Sequence, residues 1–208
     1  MSDIVKSLEE ALDSKHKFTQ SVDLYINLKN IDMSNPANRI DEEILLPYGK
    51  GRKGKIGIFA SGETAVKAKK ICDMVIQPED IEDLTKNKKE AKKTVDDIDF
   101  FLAEMPLMAT VGKSLGKILG PKGKMPKPLP ADTDLAPIAK RLQNSIRIRS
   151  RDKKTLNCTV GKEDMDPKKI AENIQAVMNR VESKLERGQM NVASSYVKTT
   201  MGPPIKIG

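Results

Sequence analysis

The sequence predicts two α/β bodies, one discontinuous and built from both ends of the chain, the other inserted between them. Three observations carry that prediction. Between residues 53 and 154 short apolar strands alternate with helical stretches, the grammar of βαβ units and a mainly parallel sheet. Before that span, Val22, Leu24, Ile26 and Leu28 alternate with Asp23, Tyr25 and Asn27, the mark of a strand with one buried face. Finally, roughly fifty residues at either end would not bury a sufficient core alone, whereas two helices against four strands drawn from both ends would. The expected domains are 1–52 plus 155–208 for the discontinuous body and 53–154 for the insert, a combination of α+β and α/β character.

The elements follow in order. Ile4, Val5, Leu8, Ala11 and Leu12 fall on one helical face, with Ser2 available as a cap and Lys15 and Lys17 suited to the far end. The alternating strand from Val22 comes next, then the loop NIDMSNPAN, then a second strand, EEILLP, stopped by Pro47 and the basic run Gly49-Lys50-Gly51-Arg52-Lys53-Gly54. The insert reads as strand KIGIF, a helix over about Thr64–Lys70, strand DMVI, a short acidic helix, and strand DIDFFLA. The lysine-rich run from Lys86 to Lys93 is a solvated helix face or a linker. A helix over about Leu107–Leu119, another near Leu135–Asn144 and a strand at Ile146–Ile148 complete the insert, with Pro126, Pro128 and Pro130 stiffening the chain between the two helices. Beyond Arg151-Asp152-Lys153-Lys154 lie the strand LNCTV, a helix capped by Asp166 with Pro167 in its first turn, an apolar stripe Ile170, Ile174, Val177, Val181, Leu185 closed by Gly188, and the strand NVASSYVKTT.

Composition narrows the chemistry. A net charge of +8 points to an anionic partner, nucleic acid or an acidic membrane surface. Uncharged runs such as 105–112 fall far short of the roughly 18 apolar residues that span a bilayer, and MSDIVKSLEE lacks the features of an export signal; the expectation is a cytoplasmic protein with no membrane contact. Cys72 and Cys158 lack a C-x-x-C partner and fit buried thiols better than a disulfide or metal framework.

His16 is the sole histidine, so two-histidine metal motifs and most histidine relays are excluded, and its charged setting suits a solvated helix end. The acid pairs Asp96/Asp97 and Glu42/Glu43 sit in charge-rich segments and are assigned no chemistry. Gly112-Lys113-Ser114 has the ending of a phosphate-cradling loop, but Leu107 stands where the first glycine is needed. The expectation is no catalysis, no cofactor and no metal. Two rival readings are a nucleotide-dependent enzyme using Lys113/Ser114 and a sequence-blind architectural DNA binder. Gly112, Gly116 and Gly120 recur at helical spacing and predict a face where another backbone approaches closely, with Lys113, Lys117, Lys122, Lys124 and Lys127 supplying positive charge around it, which reads equally as architecture alone or as a secondary contact to RNA or tRNA. Aromatic residues are only 3% of the chain, which disfavours binding dominated by successive base stacking and favours structured RNA over unstructured strands.

The segment KSLGKILGPKGKMPKP, residues 113–128, closely resembles the signature of the large-subunit ribosomal stalk protein family known as L-one, of archaeal-like type. Lys17-Phe18 with the strand Ser21-Val22-Asp23, then Leu46-Pro47-Tyr48-Gly49, Val160-Gly161-Lys162 and the run from Ser194 to Pro203 follow in the family's order. This resemblance implies a split β-α-β domain that binds RNA and a Rossmann-like insert. It also implies a structural role in the large ribosomal subunit: binding a folded site in large-subunit rRNA, forming the mobile stalk near the tRNA exit site, contacting exit-site tRNA, and repressing translation by binding the leader or coding region of its own mRNA. The free protein is expected to be a monomer.

Carried onto matching positions, the resemblance assigns RNA contacts to Lys17, Phe18, Thr19, Ser21, Lys162, Ser194, Lys198, Thr200, Met201 and Gly202. Hydroxyls and backbone groups suit phosphates and 2′-OH groups, a glycine lets backbone approach closely, and Phe18 and Met201 can cover a ribose or base edge; taken without the resemblance, those two side chains suit a core better. Lys198 stands where many relatives carry a small hydroxyl and Tyr48 where a histidine is common, which replaces a hydrogen bond with a charge contact at the first and leaves the second without an inherited role. The crossings between the bodies, at Gly49, Gly51 and Gly54 on one side and Lys154 on the other, are expected to act as a hinge about which the insert swings.

Overall fold

The computed structural model describes residues 2–13, 17–130 and 134–207, the first two of them by backbone only, so the expectations placed on Ser2 as a cap, on Lys15 and on His16 lie outside the described side chains. Helix α1 spans Ser2–Leu12 and strand β1 Ser21–Leu28, followed by a 3-10 turn at Pro36–Asn38 and strand β2 at Asp41–Leu45. Next come β3 (Ile56–Phe59), α2 (Gly62–Ala68), β4 (Met74–Ile76), α3 (Pro78–Lys86), α4 (Lys88–Asp97), β5 (Phe100–Glu104), α5 (Met105–Lys122), β6 (Lys127–Leu129) and α6 (Leu135–Gln143). The chain finishes with β7 (Ser145–Arg149), β8 (Thr155–Lys162), α7 (Pro167–Lys184), a 3-10 turn at Gly188–Asn191, β9 (Val192–Thr199) and β10 (Ile205–Ile207).

Two compact units result: residues 1–53 with 144–208, and residues 54–143. The second expected boundary, between 154 and 155, therefore moves to 143/144. The cause is β7, which pairs antiparallel with β2 from Asp41↔Arg149 to Leu45↔Ser145 and places Ile146 and Ile148 in the core of the terminal unit. A strand's two-residue period shows that one face is buried and is silent about which strand will pair with it.

In the terminal unit the four-stranded sheet runs β10-β9-β1-β8 with every pairing antiparallel, and β2-β7 forms a separate ribbon. EEILLP thus leaves the sheet it was expected to join, and the short β10, which the sequence reading lacked, takes an edge. Alternate residues of β1 are buried: Val22, Leu24, Ile26 and Leu28 meet Leu8 and Ala11 of α1 and Ile170, Ile174, Val177 and Val181 of α7. Each such side chain contributes about 1.5–3 kcal/mol on leaving water, and the opposite face of β1 carries no such load. Asp166 Oδ1 accepts from the Lys168 N–H at 2.9 Å and Pro167 fills the first turn of α7. The helix stops at Lys184, so Gly188, with φ +53°, starts the following 3-10 turn instead of closing α7. Arg180 and Lys184 both reach the Glu42 carboxylate at 2.7 Å, tying α7 to the ribbon and holding Glu42 below the ordinary glutamate range.

The inserted unit is a doubly wound parallel sheet, β4-β3-β5-β6. One face, with Ile56, Ile58 and Leu102, packs on Ala65 and Ala68 of α2 and Leu135, Ala139 and Leu142 of α6; the other, with Phe59, Phe101 and Ala103, packs on α3, α4 and α5. Every residue of β3 is buried, as a strand covered on both faces requires. Phe59 and Phe101 stack with ring centroids 5.5 Å apart, and a Cβ on Gly57 would lie 2.8 Å from Ile98 and Phe101 side-chain carbons. The lysine-rich run is the helix α4, with Ala91 and Val95 inward and its lysines outward. The proline-flanked KPL, expected only to stiffen the chain, forms the edge strand β6 beside β5, where the missing proline N–H does not interrupt a central ladder. Gly123, at φ +71°, closes α5 with its N–H on the Gly120 carbonyl at 2.9 Å and that of Lys124 on Leu119 at 3.0 Å.

Gly112-Lys113-Ser114 lies in the interior of α5, where no loop can cradle a phosphate. The face of Gly112, Gly116 and Gly120 has open space where a Cβ would stand, so the expected close backbone neighbour is absent among the described residues. Cys72 and Cys158 are free thiols in separate units; burial, aided by Asp73 and Asp23 respectively, pushes them up to about 11 and about 12. No helix among the described residues is long and apolar enough to cross a membrane.

Candidate nucleic-acid interface

The antiparallel sheet of the terminal unit has helices on one face, which leaves the other polar. Directly opposed residues share a face, so β1 aligns its outward residues with those of β8 and β9: Asp23 with Thr159 and Lys198, Tyr25 with Asn157 and Tyr196, Asn27 with Thr155 and Ser194. These side chains bond one another. Thr159 Oγ1 donates to Asp23 at 2.7 Å, Thr155 Oγ1 to Asn27 Oδ1 at 2.9 Å, and Asn27 Nδ2 to Ser194 Oγ at 3.1 Å. The result is an ordered polar face with two half-buried tyrosines at its centre.

At one end of that sheet β1 begins and β8 and β9 finish, and most of the sequence-assigned contacts meet there. Ser21 lies opposite Lys162, and Val22 opposite Thr199. The Ser21 N–H donates to Thr200 Oγ1 at 3.2 Å, and Lys198 Nζ donates to the Thr200 carbonyl at 3.4 Å. Lys17, Phe18 and Thr19 occupy the exposed segment leading into β1. Phe18 is 51% and Met201 65% exposed, which removes the core-packing alternative for both: an apolar side chain left outside at a strand end has surface available for a partner. Ser194 sits at the far end of β9, part of the polar face but apart from this cluster. Gly202 is buried with its N–H on Thr199 Oγ1 at 3.1 Å, so it supports the loop from inside.

Lys162 owes its direction to a β-bulge. The register of β8 against β1 shifts between Val22 and Asp23, pairing Val22 with Gly161 and Asp23 with Thr159, so Val160 is an extra residue. Without it, Val160 and Lys162, two apart, would share the buried face. The bulge leaves Val160 in the core and turns Lys162 to the side of Ser21.

Sequence reasoning missed Gln20. Position 20 continues the even-numbered buried register of β1, and a polar residue there must be satisfied internally. Gln20 is fully buried; its Oε1 accepts from the Met201 N–H at 2.8 Å and its carbonyl from the Glu163 N–H at 3.0 Å, so one residue fixes the loops after both β9 and β8. The parity of the strand was the available signal.

The secondary basic loop of the insert divides on inspection. Lys122 pairs with Asp96 and depresses that carboxyl, and Lys124 Nζ donates to the carbonyls of Val95 at 2.7 Å, Ile98 at 2.5 Å and Asp96 at 3.1 Å. Both lysines thereby satisfy the negative end of α4. Lys113, Lys117 and Lys127 are exposed. Of the four hinge positions, Gly49, Gly51 and Lys154 lie within the terminal unit, and only Gly54 stands at a crossing. Gly49 (φ +65°) and Gly51 (φ +77°) shape a turn there, and the Lys154 carbonyl accepts from Leu28 at 2.7 Å. Turn-forming glycines resemble hinge glycines in sequence, because both need the left-handed region.

A sequence profile described as the ribosomal protein L1p/L10e family matches residues 7–203 of this chain. Among similar proteins, the large ribosomal subunit protein uL1 of Thermoplasma volcanium is 50% identical, over 100% of this chain and 97% of the relative. The protein of the same name from Methanocella arvoryzae is 51% identical over 98% and 97% of the two chains, and that of Archaeoglobus fulgidus 48% over 98% and 96%.

Proposed function

We propose, from the premise that this chain belongs to the ribosomal protein L1p/L10e family, that the strand-end cluster of its terminal unit is the surface that grips a folded site in large-subunit rRNA. Membership makes the chain a structural constituent of the large ribosomal subunit that binds ribosomal RNA, and not an enzyme. The site within the chain is our reading. One observation carries it: Phe18, Ser21, Lys162, Lys198, Thr200 and Met201 gather at one end of the sheet, with both apolar members exposed.

The chemistry suits structured RNA. Thr200 and Ser21 hydroxyls face 2′-OH and phosphate oxygens, Lys17, Lys162 and Lys198 neutralise phosphates, and Phe18 and Met201 cover a ribose or an unstacked base. Ser194 and Lys198, on either side of Tyr196 along β9, extend the contact onto the polar face. In the particle, this grip would hold the stalk near the tRNA exit site, with Lys113, Lys117 and Lys127 of the insert facing exit-site tRNA. A similar folded structure in the leader or coding region of the protein's own mRNA would bind the same cluster and so repress its translation.

Met201→Ala and Thr200→Ala should each weaken binding to large-subunit rRNA by about 1–3 kcal/mol, the scale of a good specific contact, while circular dichroism stays unchanged. Footprinting identifies the protected fragment. Wild-type affinity in both variants, or protection lost only on mutating the insert, would move the site elsewhere.

A further inference from the structure

We infer that Asn173 is a positioning residue for RNA binding: its buried amide holds the bulge and the turn that together aim Lys162 outward. The inference rests on Lys162 being an RNA contact, as proposed above. Asn173 lies in the middle of α7, fully buried, and belongs to no ligand-facing surface. A polar side chain in such a place is retained only if its bonds are made. All its bonds go to one small region. Nδ2 donates to the Val160 carbonyl at 2.8 Å and to the Gly49 carbonyl at 2.8 Å, and Oδ1 accepts from the Tyr48 N–H at 3.1 Å.

Those partners matter individually. Val160 is the extra residue of the β8 bulge, the one without a counterpart in β1, and a bulge frees backbone groups that must find another partner. Asn173 supplies it. Tyr48 and Gly49 open the turn that leads to Gly51, whose φ of +77° and lack of a side chain let it lie under the Lys162 stem: a Cβ there would be 3.0 Å from Lys162 Cγ, 3.1 Å from its Cβ and 3.0 Å from Met165 Sδ. Tyr48 is steadied from the same helix, its ring under Lys169 at 5.8 Å and its phenol bonded to Glu172, which raises its pKa. One amide therefore fixes both supports of the lysine, the bulge behind it and the glycine floor beneath it.

The prediction concerns direction of a charge, so the test reads charge. Affinity of the footprinted rRNA fragment is measured against salt for wild type, Lys162→Ala, Asn173→Ala, Gly51→Ala and the doubles with Lys162→Ala. Losing one phosphate contact lowers the log–log salt slope by about 0.7–0.9. Lys162→Ala should do so, and Asn173→Ala and Gly51→Ala should reproduce that drop singly while adding nothing in the doubles. A general loosening of the fold would leave the slope intact. If Asn173→Ala does not fold, Asn173→Ser takes its place beside Gly51→Ala, since its hydroxyl can be satisfied within α7 but is too short to bridge the Val160 and Gly49 carbonyls. Wild-type slopes in Asn173→Ala and Gly51→Ala beside a lowered slope in Lys162→Ala would overturn the positioning role. A wild-type slope in Lys162→Ala would instead overturn the contact assignment beneath it.

Discussion

The two four-stranded sheets of this molecule are covered differently, and the difference decides where a ligand has room. β3 in the insert is buried at every residue, with helices on both sides, whereas β1 in the terminal unit is buried at alternate residues and turns Asp23, Tyr25 and Asn27 away from the helices. A parallel sheet needs crossovers, and its crossover helices close both faces; an antiparallel sheet assembled from both ends of the chain needs few, and one face remains open. The insert is thus a body packed on both faces of its sheet, and the terminal unit is a half-covered one whose polar strand face is available.

The sharpest way to break this contrast is to damage one core and look for loss of function in the other unit. Phe101→Ala removes a buried ring that stacks on Phe59, and the insert should lose about 3–5 kcal/mol of stability in denaturant unfolding. Affinity for the rRNA fragment should stay within error if the strand-end cluster alone makes the grip. A parallel loss of affinity would mean that the insert shares the site. Smaller in effect, Gln20→Ala leaves the Met201 N–H without its acceptor and should cost about 1–3 kcal/mol, read mainly as weaker RNA binding; full affinity would show that the loop after β9 holds its shape unaided.

The smallest expected effect concerns the ribbon. Glu42 is held below its ordinary pKa chiefly by hydrogen bonds from Lys184 and Arg180, so its contribution is present above the unfolded-state value and is lost as pH falls through the lower folded value. Glu42→Gln should destabilise the terminal unit by about 0.2–1 kcal/mol at neutral pH, the pair being partly solvent-screened, and the difference should vanish in acid. A constant difference at both pH values would assign the loss to packing.

Several of these features were visible in the amino acids alone. The alternation from Val22 to Leu28, the cap Asp166-Pro167 and the apolar stripe of α7 are local signals, and the structure keeps each. What was hidden depends on partners distant in sequence. β2 pairs with β7 about a hundred residues away, and long-range pairing leaves no trace in either segment's own period. Lys122 and Lys124 looked like free positive charge because nothing local shows that α4 ends beside them. The strand-end cluster was reached through family resemblance; strand parity marked position 20 as buried, but the bonds Gln20 makes to two loops and the Val160 bulge appear only when three strands are set in register.

The pairing of β1 with β8 and β9 also sets a timetable for synthesis. Residues 54–143 form one contiguous unit and can fold as soon as they have left the ribosomal tunnel. β1, made far earlier, has to wait for its neighbours at 155–162 and 192–199. At about 5–20 residues per second, an early strand with an apolar face spends roughly ten to thirty seconds unpaired. If the strand-end cluster is the RNA site as proposed, a growing chain gains it only when β8 and β9 emerge to pair with β1.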